Sequence, residues 1–305
     1  MQQEHTTNRM AVIDLGTNTF HILIAEPDGQ GGYRHLYRYR EFVRLAEDGI
    51  DEISPAAFGR ALAAVRFMHE KLEEYGVRKI RASGTAALRT AANGPGFIRQ
   101  VKEMTGIEVQ LITGIEEARL IHLGVLQAIP PTSEPILIMD IGGGSVEFII
   151  SEKGQLLWAQ SFPVGVAVLY HHYHNHEPIL ASEVAAVQHF LDQQLAPLHQ
   201  ALSRHPVQHL IGAAGTFDVL ETLLATAKPT PNSAVIPLAG FFPLYYQLLN
   251  ASVEERHHIE GIPEDRADMI VVAMILIDFV LRMADIHQLT VSSFALKEGM
   301  LAEIC

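Results

Sequence analysis

The chain has 305 residues, 48% of them hydrophobic, and a formal net charge of −13. That length admits one large or two ordinary domains with substantial cores. The negative balance argues against a general binder of nucleic acid or anionic membranes, while leaving room for a local phosphate site built from backbone N–H groups.

In chain order, AVIDLGTNTFHILIA (11–25) predicts a strand, a tight turn and a second strand, and YRHLYRYREFVRL adds a third. SPAAFGRALAAVRFMHEKLEEYG predicts a helix, with Ser54 at the N-cap, Pro55 in the first turn and Gly76 closing it. Phe58, Leu62, Val65 and Leu72 recur on one face. A strand (RKIRAS), two helices (GTAALRTA, then GPGFIRQVKEMTG ended by Gly106), a strand (IEVQLI) and a helix (GIEEARLIHLGVLQAI) follow. The proline-rich PPTSEP (130–135) predicts a connection. The domains are therefore drawn as 1–128 and 129–305, with the terminal helix, about 295–305, packing back on the first. Beyond it come MDIGGGSVEFII (139–150), a helix over 181–202, the strand VQHLIG, the glycine turn AAGT, several helices, the strand LTVSS and the helix FALKEGMLAEI. Alternating strands and helices predict α/β architecture.

MIVVAMILIDFVL (269–281) contains Asp278 and is shorter than the roughly 20 residues of a membrane span, so a buried helix is expected. The start MQQEHTTNRM has no apolar stretch and predicts no signal peptide. The lone cysteine, Cys305, allows no intrachain disulfide and favours a reducing compartment. A soluble cytoplasmic protein is the expectation, with no membrane or nucleic-acid partner.

The phrase strand, Asp-x-Gly, small polar residues, strand occurs twice, with 126 positions between Asp14 and Asp140 (140 − 14). Glycine turns after buried strands let backbone N–H groups approach a phosphate. Gly16, Gly142, Gly143 and Gly144 supply the turns; Thr17, Asn18, Thr19 and Ser145 add side-chain donors. Asp14 and Asp140 beside the turns would repel phosphate unless a cation intervened, and Mg2+ suits that role, with Mn2+ as a substitute. One such turn would be read as a plain hairpin; two in matching contexts point to a bound phosphate.

DLGTNT and DIGGGS resemble the paired phosphate loops of the actin, heat-shock chaperone and sugar-kinase superfamily. ASGTAALRTAAN, ITGIEEARLIHLGV, DIGGGSVEFII, FPVGVAVL, GAAGT and ALKEGML stand in the order seen in the exopolyphosphatase and guanosine pentaphosphate phosphohydrolase family. The resemblance runs from about residue 11 to 303, and the chain resembles that family's short, two-domain members. It implies two related actin-like (ribonuclease H-like) domains with an active-site cleft between them. It further implies Mg2+-dependent hydrolysis of a terminal phosphoryl group of polyphosphate or guanosine pentaphosphate. Gly215 and Thr216 of GAAGT would join the phosphate contacts, although Ala214 stands where the family often has serine. KEGM likewise replaces a commoner Arg-Glu-Gly.

Thr113 with Glu116 reads as a capping box, which leaves Glu117 in the helix's first turn without a local partner. The resemblance implies the same choice, with Glu117 as general base. Glu147 shares a strand face with Ser145 and could orient water or metal. Arg89 could grip phosphate oxygens. A solvated strand face is the preferred reading of Arg34, Arg38, Arg40 and Arg44, and a solvated loop that of His171, His172, His174 and His176. Two rival functions are a phosphotransferase of the same superfamily and a non-catalytic alarmone sensor. A homodimer is the assembly carried forward.

Overall fold

The computed structural model describes residues 8–29 and 32–304; residues 1–7, which hold most of the segment read for a leader, and Cys305 lie outside the described residues. The chain forms two compact units, Met1–Thr113 with Leu296–Cys305, and Gly114–Ala295.

The first unit contains β1 (Met10–Leu15), β2 (Thr19–Pro27), β3 (Tyr33–Phe42), α1 (Pro55–Glu74), β4 (Lys79–Gly84), α2 (Ala86–Thr90), α3 (Gly94–Thr105) and β5 (Val109–Leu111). Its sheet runs β3-β2-β1-β4-β5, antiparallel through β3, β2 and β1 and parallel from β1 to β5. The helix predicted from Ser54 is present. The Ser54 hydroxyl accepts from Ala57 N at 3.2 Å and donates to Glu47 at 2.8 Å, while Gly76 follows in the left-handed region at φ 61°. Its buried face differs from the expected one. Ala57, Ala61 and Ala64 join Val65, Met68 and Leu72 inside, and Phe58 and Leu62 sit at the margin. The alanines let the helix axis approach the sheet closely. Phe97 of α3 packs between Phe58 and Phe20, at centroid distances of 5.2 and 6.2 Å.

The second unit contains α4 (Gly114–Ala128), β6 (Ile136–Ile141), β7 (Val146–Glu152), β8 (Gln155–Phe162), α5 (Val166–Tyr173), α6 (Ala181–Gln194), α7 (Ala196–Arg204), β9 (His209–Ala213) and α8 (Gly215–Leu224). It continues with β10 (Ala227–Thr230), β11 (Ser233–Ile236), α9 (Leu238–Asn250), α10 (Val253–His257), α11 (Ile270–Met283) and β12 (Gln288–Ser292). The last helix, α12 (Leu296–Ile304), returns to the first unit, where it packs on β1, β2 and β4 and pairs Glu303 with Arg81 at 2.5 Å.

The second sheet runs β10-β11-β12-β9-β6-β7-β8. Read from the other end, β8-β7-β6-β9-β12 repeats the first sheet strand for strand, in order and in direction. A one-residue register shift recurs too, between Ile24 and Ala25 against β3 and between Ile150 and Ser151 against β8. Ile24 and Ile150 are separated by the same interval as the two aspartates.

Three expectations change. The chain divides ahead of α4, at 113/114, and not at 128/129, because α4 buries Leu120, Ile121 and Val125 and packs on β7 and β8; the prolines merely link it to β6. The helix expected over 181–202 is broken at Leu195, where Pro197 opens α7. The β10–β11 hairpin stands where only helices were expected; Pro229 is tolerated because β10 is an edge strand. α11 is buried on nearly every side, with Asp278 held by Arg282 Nε at 2.9 Å. Among the described residues no helix is long and apolar enough to cross a membrane.

Ser54→Ala removes the α1 cap and its link to Glu47. A loss of about 0.5–2 kcal/mol is expected in denaturant unfolding, with an unchanged m-value.

Candidate active site

In the first unit the turn between β1 and β2 closes with Gly16 N donating to Thr19 O at 3.1 Å. A Cβ on Gly16 would lie 2.7 Å from that oxygen, closer than any side chain allows. Asp14, next to last in β1, is half-buried opposite His21. Thr17, Asn18 and Thr19 are buried. Asn18 O accepts from Val43 N at 2.8 Å and Arg44 N at 3.1 Å, and Thr17 O from Leu45 N at 2.8 Å. The Thr17 hydroxyl accepts from Ala87 N, at 3.2 Å, at the start of α2. It thus anchors the helix that carries Arg89, and keeps only its O–H to give a ligand. Arg89, half-buried, spends Nη1 on Ile112 O at 2.8 Å.

The second unit repeats the turn. Gly142 N donates to Ser145 O at 3.0 Å, and a Cβ on Gly142 would lie 2.9 Å from that oxygen. The N–H groups of Gly143 and Gly144 find no backbone acceptor among the described residues, although Gly144 is buried. Buried N–H groups are otherwise nearly always paired, so this turn is built to receive an acceptor. α5 seats beneath it: Val166 N donates to Gly142 O at 3.0 Å and Ala167 N to Gly143 O at 2.9 Å. Gly165 is required for that approach, since a Cβ there would collide with the Gly143 and Gly144 backbone.

Three carboxylates gather here. Asp140 and Glu147 are cross-strand partners, and Glu117 projects from the first turn of α4; all three are buried. Glu147, only 2% exposed, accepts from Ser145 Oγ at 2.7 Å and Ser161 Oγ at 2.6 Å, both on Oε1. Burial pushes its carboxyl well above the ordinary range, and the charges of Glu117 and Asp140 push it further; the two serines oppose the shift. The Ser145 hydroxyl proton, expected to serve a phosphate, is therefore directed at Glu147. α4 is fastened to β7 by His122 Nε2 and Ser151 Oγ, 2.8 Å apart and buried, and burial lowers the affinity of His122 for a proton. Glu116, expected to close a capping box with Thr113, has its carboxylate gripped by Arg119 Nε and Nη2 at 2.9 and 2.8 Å.

The third glycine turn leads into α8. Ala214 precedes it at φ 70°, ψ 176°, a region that glycine favours. Gly215 is packed so closely by the Arg266 guanidinium that a Cβ would strike it. Thr216 is buried in the next position. Arg266 and Ser161 escaped the sequence reading. Ser161 directly precedes FPVG, yet only the β7–β8 register sets it opposite Glu147. Arg266 is 51 positions from Gly215 (266 − 215), and only the sign of its charge hinted at a role beside a glycine turn.

A carboxylate oxygen such as that of Asp140 suits a hard cation such as Mg2+ or Mn2+, and the crowding of charge that raises the proton affinity of Glu147 is what a cation would relieve. Among the described residues no group of three or more His, Cys, Asp or Glu side chains could hold a metal ion; Mg2+ held by one or two carboxylates, water and phosphate needs no such group. The histidine run splits: His171 and His172 are exposed on α5, and His176 is exposed and pairs with Glu183 at 2.9 Å. His174 is buried, which departs from the solvated loop expected. Arg34, Arg38 and Arg40 are exposed on the edge strand β3, with Arg34 paired to Glu26 and Arg38 beside His35. Arg44 is half-buried, stacked 5.0 Å above Phe42.

Two sheets of one strand order, each closing its first hairpin with the same glycine turn beside an aspartate, define the class: a duplicated α/β protein of the actin-like fold. The chain belongs to the Ppx/GppA phosphatase family, whose model matches residues 23–305. It is similar to an exopolyphosphatase from Cytophaga hutchinsonii, with 38% identity, a TM-score of 0.91 and 96% of each chain covered. An Aquifex aeolicus family member at 22% identity superposes with a TM-score of 0.80 over 97% of this chain and 96% of its own, sharing the fold. The guanosine-5'-triphosphate,3'-diphosphate pyrophosphatase of Photobacterium profundum is 28% identical over 306 residues; the whole of this chain spans 61% of that protein's length.

Because the Glu147 pKa is raised, its protonated form carries the stability. That contribution is full below the ordinary carboxylate range and is lost as pH rises through the raised value. Glu147→Gln keeps the serine acceptor and removes the titration. Without divalent ions, its Tm advantage over the wild type is expected to widen from pH 5 to pH 8, by ~2–4 °C for each kcal/mol. A constant gap across that range would contradict the crowding of charge.

Proposed function

We propose that the chain hydrolyses a terminal phosphoanhydride, releasing phosphate from the end of inorganic polyphosphate or from guanosine pentaphosphate. The observation that carries this reading is the set of three buried carboxylates beside a glycine turn with N–H groups to spare. Membership of a phosphatase family supports it, as do the names of an exopolyphosphatase and a guanosine pentaphosphate pyrophosphatase among similar proteins.

Each residue then has a task. The Gly143 and Gly144 N–H groups receive oxygens of the terminal phosphoryl group and stabilise the charge that grows there. Glu147, whose Oε1 already accepts from the two serine hydroxyls, is committed to holding them. Glu117 is left as the base: its carboxylate oxygen accepts the proton of the attacking water and aims the water at phosphorus. Asp140 would hold Mg2+, or Mn2+ in its place, which when bound neutralises and polarises the phosphoryl oxygens. Arg89 is a further candidate for phosphate contact, through the planar guanidinium fork that suits phosphate oxygens. Gly215 and Thr216 at the start of α8, backed by Arg266, offer a further phosphate contact.

Phosphate release from polyphosphate and guanosine pentaphosphate, measured side by side with and without Mg2+, tests the reading. Turnover of at least one, abolished by chelator and by Asp140→Asn, is expected. Transfer of labelled phosphate to a sugar or acid instead of water would favour the phosphotransferase; tight binding without release would favour the sensor.

The neighbouring glutamates should separate. Glu117→Gln is expected to cut kcat about 10²–10⁴-fold without lowering Tm, and Glu116→Gln to stay active. A dead Glu116→Gln beside a normal Glu117→Gln would reverse the assignment. Arg89→Ala should raise KM or lower kcat/KM, with Arg89→Lys rescuing only part.

A further inference from the structure

An ion pair in the second unit joins buried Arg256 to Glu177, whose side chain remains 29% exposed. Arg256, in α10, is 0% exposed. Its Nη1 and Nη2 donate to the two oxygens of Glu177 at 2.9 and 2.7 Å, Nη1 also to Ala251 O at 2.7 Å, and Nε to Ala267 O at 2.8 Å. A guanidinium removed from water persists only when its donors are met, and each of its three nitrogens donates here. What matters is what the acceptors belong to. Glu177 lies just beyond the C-terminal end of α5, beside buried His174, whose Nε2 is 3.2 Å from Glu177 Oε1. The other end of α5 carries the hydrogen bonds to Gly142 O and Gly143 O. Ala267 directly follows Arg266, whose guanidinium covers Gly215. One side chain therefore grips both supports: the segment that follows α5, and the run of turns leading into α11 that sets Arg266 against Gly215.

We propose that Arg256, through Glu177 on one side and the Ala267 carbonyl on the other, is a positioning residue that holds the two glycine turns of the second unit in one geometry for a single phosphate chain. The turns gain a common reference without sharing a contact. Arg256 touches neither substrate nor reacting atoms. The pair's part in turnover rests on the phosphohydrolase reading above; its part in coupling the turns does not.

Glu177→Gln is the primary test, since it keeps one of the two oxygens that accept from Arg256 and removes the charge and the second acceptor; Arg256→Lys is the second. Amide hydrogen exchange is followed over 142–146 and 213–217. Both segments are expected to exchange faster together in Glu177→Gln, by about fivefold or more, the scale of a modest coupling energy. Leu202→Ala, which opens a cavity under α7, serves as a destabilised control and should leave both segments as in the wild type. In turnover, Glu177→Gln should raise KM by a similar factor with kcat within about twofold, because binding and not chemistry depends on the spacing of the turns. Arg256→Lys should fall between the wild type and Glu177→Gln. Wild-type exchange at both turns in Glu177→Gln overturns the proposal, as does the same acceleration in Leu202→Ala. If both turns loosen in a protein that hydrolyses neither substrate, the coupling stands and the phosphohydrolase reading falls.

Discussion

One hydrogen bond across four residues, Gly16 N to Thr19 O and again Gly142 N to Ser145 O, sets the terms for the rest of the molecule. It draws the chain back on itself so tightly that a methyl group has no room, and it does so just past an aspartate at a strand end. The strands entering and leaving are then obliged to pair, which puts Asp140 opposite Glu147. The carbonyls on the far side of the triple-glycine turn need partners, which α5 provides. A sheet of one order and a helix seated under a turn follow from a single constraint on where Cβ cannot be.

The second unit carries a cost that the first lacks. Like charges gathered in a low-dielectric pocket oppose folding, and the two serines on Glu147 only moderate the opposition. A protein shaped for stability alone would place an amide there. Perturbed carboxylates of this kind concentrate at functional sites, where local instability and chemical competence have one origin.

Local patterns were readable in the sequence because their causes are local. The α1 cap, the left-handed Gly76 and Gly106, the apolar α11 and the repeated aspartate phrase each need only neighbours a few positions away. Pairing across long intervals was not readable. Ser161 meets Glu147 through strand register, Arg266 meets Gly215 across 51 positions (266 − 215), and α4 joins the second unit because of what its apolar face meets. The β10–β11 hairpin was hidden by its prolines, and the break at Leu195 was visible in Pro197 but outweighed by helical periodicity on both sides. At the site, the glycines and acids could be listed from sequence, whereas the commitment of Ser145 to Glu147 required coordinates.

The register shift between Ile150 and Ser151 has an implication for how this hairpin can change length. Lys153 and Gly154, both at positive φ, close it, and from that tip a regular ladder would place Gln160 opposite Glu147. The extra residue of the bulge moves the count by one, so that Ser161 faces the carboxylate and Phe162 turns inward against Phe148. Both outcomes depend on the same parity. A single-residue insertion or deletion between 153 and 161 would have to be taken up by that bulge or else exchange the inward and outward faces of β8. The hairpin works as a vernier, and its loop is among the few on the surface whose length is not free to drift.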